Sequence, residues 1–130
     1  MDNKIDRKKV LIVGEYKLAK AIASSLLKRG CSVTVINDDS EECERLAEIK
    51  GLSVIFGNGT RKSVLKDASA ESRDIVIAVT ECDEKNLIIS EICKDEFKVK
   101  RTIALLEDGE KSSFFYKMGV DSVVCAISAV

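Results

Sequence analysis

The chain has 130 residues, 45% of them hydrophobic and 33% charged, with 21 basic against 22 acidic side chains and a formal net charge of -1. That length suits about one domain around one core. The even charge balance removes the bulk attraction used to hold nucleic acid, so no nucleic-acid partner is expected. The polar start over residues 1–9 is followed by only four apolar residues before Gly14, too few for a signal-peptide core or a membrane span, which implies a cytoplasmic chain without direct membrane insertion. Five cysteines stand far apart, with no C-x-x-C pair and no histidine anywhere. That pattern points to small buried hydrophobes rather than to a metal site or disulfide framework.

In chain order, residues 1–8 read as a loosely held segment, and Val10-Leu11-Ile12-Val13 as a strand buried on both faces. Gly14 turns the chain into a helix that runs to about Arg29, with Leu18, Ile22 and Leu26 at helical spacing and Gly30 as its C-cap. A second strand, Cys31 to Ile36, ends at Asn37, and Asp38, Asp39 and Ser40 open a second helix that buries Cys43, Leu46, Ala47 and Ile49 before Gly51. The third strand is Ser53 to Phe56, after which Thr60 is placed to cap a short helix carrying Val64, Leu65 and Ala68. Ile75 to Val79 is a continuous apolar run suited to the centre of a parallel sheet, followed by the loop Thr80-Glu81-Cys82-Asp83. A helix from Glu84 to Phe97 buries Leu87, Ile88, Ile92 and Cys93, with Asp83 as N-cap. Thr102 to Leu106 is the fifth strand, Glu110 to Met118 the fifth helix, and Ser122 to Cys125 the sixth strand, leaving residues 126–130.

Strands alternating with helices in this way predict an α/β fold, a Rossmann-like doubly wound six-stranded parallel sheet in the order 3-2-1-4-5-6 with helices on both faces. With no proline and no linker-like tract, residues 1–130 read as a single domain, and nothing remains for a substrate-binding domain. Ligands of this fold sit beyond the C-terminal ends of strands 1 and 4. The candidate cofactor contacts are therefore Gly14, Glu15, Tyr16, Lys17 and Leu18 at the first turn, Asn37 and Asp38 after the second strand, Asn58, Gly59 and Thr60 after the third, and Val79 and Thr80 after the fourth. No catalytic or metal-ligating set stands out. The Tyr16 and Lys20 spacing of short-chain dehydrogenases overlaps the phosphate turn and is better read as chance.

The chain resembles the RCK/TrkA-N (KTN) domain, a nucleotide-binding regulatory module of potassium channels and transporters. The resemblance rests on V-L-I-V-G at 10–14, V-x-V-I at 33–36, G-N-G-T at 57–60 where the family usually has G-D-A-T, A-V-T-E-C-D-E-K-N-L at 78–87, and F-x-x-x-G-V-D at 115–121. It implies a non-catalytic domain that binds NAD(H) or an adenine nucleotide such as AMP, ADP or ATP. It also implies assembly as a homodimer or larger ring and signalling to a potassium channel or transporter membrane subunit from the cytoplasmic side. In many relatives a second, C-terminal lobe follows.

The departures from that pattern fall at expected ligand contacts. Tyr16 replaces the second glycine of G-x-G-x-x-G, where a side chain either fills the pyrophosphate space or turns away and leaves a poorer cradle; Ala19 at the third position is small enough. Lys17 stands where relatives often carry a phosphate-contacting arginine, and reads either as a phosphate cation or as a solvated lysine. Neutral Asn37 replaces the carboxylate that grips both ribose hydroxyls, and Asn58 the aspartate near the base, so nucleotide binding is expected to be weakened or lost. Three classes follow: a regulatory ligand-binding module, a degenerate assembly module that no longer binds nucleotide, and, remotely, an NAD-dependent oxidoreductase, for which no histidine and no placed acid or base exist. Phe114, Phe115 and Met118 add a candidate interaction face, because adjacent phenylalanines point in different directions.

Overall fold

The computed structural model describes residues 5–125. The expectations for residues 1–4 and for the stretch after the sixth strand lie outside the described residues. Between them run β1 (Lys9–Gly14), α1 (Tyr16–Lys28), β2 (Ser32–Asn37), α2 (Ser40–Ala47), β3 (Ser53–Phe56), α3 (Lys62–Asp67), β4 (Ile75–Val79), α4 (Asp83–Asp95), β5 (Arg101–Leu106), α5 (Ser112–Lys117) and β6 (Ser122–Cys125). Short 3-10 turns at Ala70–Ser72 and Gly109–Lys111 precede β4 and α5.

The strands form one sheet in the order β3-β2-β1-β4-β5-β6, every pair parallel. The strand order reverses between β1 and β4, which is the topological switch point of the expected Rossmann-like fold. Residues 10–14 and 75–79 are buried without exception, because helices cover both faces and leave no strand position facing water. On one face Val10 and Ile12 pack with Val33, Val35, Ile77 and the α1 residues Ala19, Ala23 and Leu26. On the other, Leu11 and Val13 meet Val76, Ala78, Leu65 of α3, and Ile89 and Cys93 of α4. A smaller cluster seats Phe115 of α5 against Ala104 and Leu106 of β5.

Helix faces differ from the expected ones in detail. α1 presents Ala19, Ala23 and Leu26 to the sheet while Leu18 is 38% exposed; alanines at i and i+4 let the helix axis approach the β-branched strand surface, which a leucine stripe would hold off. In α2, Cys43 and Leu46 are buried, Ala47 is exposed, and the helix stops at Ala47 with Ile49 packing from beyond its end. α4 runs to Asp95 rather than Phe97, and buries Asp83, Asn86, Ile89, Ser90 and Cys93 while Ile88 is exposed. Its buried stripe is half polar, so hydrophobicity alone misplaced it.

Residues 5–8, expected to be loosely held, are pinned: Arg7 N–H donates to the Arg29 carbonyl, Asp6 pairs with Arg29 at 2.8 Å, and the Cys31 thiol donates to the Ile5 carbonyl at 3.0 Å. Cys31, Cys43 and Cys93 are buried and all five thiols are free; burial pushes Cys93 up to about 12, as suits an inert core residue. Asp121, closing the F-x-x-x-G-V-D stretch, accepts from the Thr102 N–H at 2.8 Å and the Lys94 ammonium at 2.6 Å, locking the start of β5 to α4.

Because β4 is central and sealed on both faces, Ile77→Ala is expected to cost about 2–4 kcal/mol in chemical denaturation. A loss below about 1 kcal/mol would contradict that central placement.

Candidate functional site

A cavity of about 280 Å³ opens at the C-terminal ends of β1, β2 and β4. Of the expected contacts it gathers Gly14, Glu15, Asn37, Asp38, Asn58, Gly59, Thr60 and Thr80, and adds Val13, Ile36, Asp39, Glu42, Gly57, Glu81, Cys82, Lys85 and Ile89. Tyr16, Lys17, Leu18 and Val79 are not among its lining residues. Two glycines shape the floor by close approach. A Cβ on Gly14 would meet Val79 Cγ2 at 2.4 Å and the Val79 carbonyl oxygen at 2.7 Å, and one on Gly59 would meet Val13 Cγ1 at 2.3 Å. Gly14 is therefore needed for strand contact as much as for a turn.

At the N-terminus of α1, Glu15 is the N-cap. Its carboxylate accepts from the Lys17 N–H at 2.9 Å and the Leu18 N–H at 2.7 Å. The Tyr16 N–H donates instead to Glu42 Oε1 of α2 at 3.1 Å. Tyr16 does not crowd a pyrophosphate space: its ring packs beside the α1 core face, with the Arg45 guanidinium 4.0 Å and the Lys20 ammonium 5.6 Å from its centroid. An aromatic ring can bury its body against the core and offer its face to cations, which gives it more contact here than an open acidic cleft would. The Tyr16 and Lys20 spacing is thus a cation–π pair. Lys17 is exposed and turned to solvent.

Asn37 is 4% exposed and its amide is fully used. Nδ2 donates to the Gly14 carbonyl at 3.0 Å and to Glu42 Oε1 at 2.8 Å, while Oδ1 accepts from the Asp39 N–H at 2.7 Å. A carboxylate at this position could not donate to either oxygen, so the asparagine supports a different network from the ribose contact expected of it. Asp39 caps α2 through the Glu42 N–H at 3.0 Å, leaving Asp38 exposed at the cleft edge. Burial pushes the Cys43 thiol up beneath this rim, and the charges of Asp39, Glu42 and Asp38 push it further. Asn58 closes its own turn: Oδ1 accepts from the Thr60 N–H at 2.9 Å and the Thr60 hydroxyl at 2.7 Å. Thr60 consequently does not cap α3, whose N-cap is Arg61 with no side-chain bond.

Residues 10–126 match the family model described as the TrkA-N domain. The chain belongs to the TrkA-N family. A Trk system potassium uptake protein TrkA homolog from Methanothermobacter thermautotrophicus is 31% identical over 115 residues, covering 88% of this chain and 53% of its own length. One from Archaeoglobus fulgidus is 34% identical over 115 residues, 88% of this chain and 26% of its own. The chain thus spans about half of one relative and a quarter of the other. Among solved structures, the TrkA-N domain of the inner membrane protein ybaL from Escherichia coli superposes with a TM-score of 0.83 at 18% identity, covering 92% of this chain and 87% of that one. The GsuK channel bound to NAD gives 0.79 at 20% identity, covering 95% of this chain and 22% of that one. At such identities the structures establish the shared fold.

In this TrkA-N domain the family stretch at 78–87 acts through buried polar side chains. Asn86, with no exposed surface, accepts from the Thr80 N–H at 2.9 Å and the Thr80 hydroxyl at 2.6 Å, and donates to the carbonyls of Thr80 and Leu105 at 3.1 and 2.9 Å. It ties the exit of β4 to that of β5 and holds Thr80 at the cleft. Asp83, expected as an N-cap, instead receives the Glu107 and Asp108 N–H groups at 2.8 and 3.2 Å; the cap position is Cys82, without a side-chain bond. A carboxylate reaching two N–H groups of a neighbouring loop gains more than one aimed at its own helix. Glu42, which the sequence did not single out, is the link between α2, Asn37 and α1. Its position five residues after Asn37 was the available signal, but only the fold brings it to Tyr16.

Asn86→Leu, similar in size but unable to bond, is expected to destabilise by about 1–3 kcal/mol for each buried partner left unpaired. Urea denaturation measures it, and a loss under about 1 kcal/mol would show that the loop re-satisfies itself.

Proposed function

We propose that this TrkA-N domain is a regulatory, non-catalytic module of a potassium uptake or channel system, binding an adenine ligand in the cleft between β1 and β4. The observation that carries this reading is the meeting of Gly14, Asn37, Asp38, Asn58, Gly59, Thr60 and Thr80 around one cavity at the switch point. The names of the TrkA homologs support the transport setting, and the NAD-bound GsuK channel supports the ligand class. The candidate ligands are adenine compounds, NAD(H) and the adenine mono-, di- and triphosphates among them, and the exposed carboxylate of Asp38 at the cleft edge suits ribose hydroxyls. Against hydride transfer stands the absence of any histidine from the sequence. No helix among the described residues is long and apolar enough to cross a membrane. In this reading the domain acts from the cytoplasmic side through contact with a membrane subunit.

The second reading, an assembly module without a ligand, is favoured by one observation: the N–H groups at the start of α1 already have protein partners. Both readings require copies. Ile88 on α4 and Phe114, Tyr116 and Met118 at α5 are 38–52% exposed, and large apolar side chains left open on adjacent elements suit burial against another protomer.

Two measurements separate these possibilities. Calorimetry with adenosine, AMP, ADP, ATP and NADH is expected to show saturable binding of at least one, weakened roughly tenfold to a hundredfold by Asp38→Ala, the value of one charged hydrogen bond; no binding of any would leave the assembly reading. Light scattering is expected to report a dimer or larger species that Phe114→Asp dissociates, and a monomer at high concentration would contradict assembly.

A further inference from the structure

The start of α1 is where a cleft of this fold offers free N–H groups and partial positive charge to a phosphate. In this chain none of those donors is free. The Glu15 N–H bonds the Val79 carbonyl at 3.5 Å, Tyr16 bonds Glu42, and Lys17 and Leu18 bond Glu15. Glu42 is not there by chance of a mobile side chain, since Asn37 grips the same Oε1 at 2.8 Å and is itself anchored to Gly14 at 3.0 Å. The cavity beside them carries the carboxylates of Glu15, Asp38, Asp39, Glu42 and Glu81 against the lone cation Lys85, and its volume of about 280 Å³ lies at the small end for ligand sites. Arg45 and Lys20, the cations beside the start of α1, are turned to the Tyr16 ring and do not line the cavity.

We infer that Glu42 and Glu15 determine the specificity of the cleft: they occupy its anion seat, so it admits an uncharged adenine nucleoside in preference to that nucleoside's phosphates or a dinucleotide. This rests on the adenine-ligand reading above for the identity of the ligand, but not for the occupancy of the seat. A phosphate entering the seat meets two fixed carboxylates and must displace both before it gains a donor. A nucleoside brings no anionic group to that seat and presents its ribose hydroxyls to the Asp38 edge. Removing the carboxylates should expose the N–H groups and turn the preference round.

The test uses Glu42→Ala, Glu15→Gly and their combination, glycine being a tolerated N-cap, with Asp95→Ala/Glu110→Ala as a control that removes equal charge elsewhere. Thermal melting with inorganic pyrophosphate at constant ionic strength is expected to leave the parent and the control unmoved and to raise the Tm of the double variant by about 3 °C or more. Glu42→Ala alone, which keeps the α1 cap, should show a smaller rise and serves if the double variant folds poorly. Equal stabilisation of parent or control, or none of either Glu42 variant, overturns the inference. Calorimetry with adenosine, AMP and ADP should then give at least tenfold tighter binding of adenosine than ADP in the parent and the reverse order in the double variant. A parent that prefers ADP also overturns it. If pyrophosphate stabilises only the Glu42 variants while no adenine compound binds any protein, the occupied seat stands and the adenine reading falls.

Discussion

The cleft exists because β1 and β4 come together more closely than two side chains would allow. Gly14 lies opposite Val79 in the parallel register, and the space its missing Cβ leaves is filled by the Val79 side chain and carbonyl. The helices after these two strands leave toward opposite faces of the sheet, so the gap between them must open at this end. Apolar packing on both faces then fixes the strands: Leu11 and Val76 point to one layer, Ile12 and Ile77 to the other. The site is a by-product of that crossing, and its shape is as rigid as the core beneath it.

What fills the rim is polar, and each buried polar group is committed. Among the described residues no buried side-chain nitrogen or oxygen lacks a partner. Asn37 joins β2 to the β1 turn and to α2, and Asn86 joins the β4 exit to β5. Asp83 extends the same logic one turn on, holding the loop that leads into α5. These bonds run across the open ends of strands, where the backbone ladder has stopped and carbonyl and N–H groups would otherwise face a half-buried cleft unpaired. A movement of Thr80 therefore cannot stay local, because Asn86 shares it with β5.

Charge at the rim is the feature that sets this TrkA-N domain apart from the pattern it was read against. A helix start that attracts anions has been satisfied from within, by Glu15 on its own cap and by Glu42 from the neighbouring helix. Two of the cations nearby, Arg45 and Lys20, face the Tyr16 ring. The cleft therefore combines the position of the fold's ligand crevice with a predominantly acidic lining.

Strand order, parallel pairing and the family were legible in the amino-acid order, because runs such as Ile75–Val79 and the turns at Gly14, Gly30 and Gly51 encode local periodicity and breaks that need no partner to interpret. Eight of the seventeen residues that line the cleft were legible too, since they follow strand ends in a fold that places strand ends together. The directions of side chains were not. Tyr16 chose between cleft and core by the presence of Arg45 from another helix, Asp83 and Asn86 were drawn to β5 rather than to their own helix, and Thr60 was taken by Asn58 instead of α3. The choices of Tyr16, Asp83 and Asn86 compare a local partner with one distant in sequence, and the distant partner enters only when tertiary packing has brought it within a hydrogen bond's length, whereas Thr60 settles a competition between two local ones.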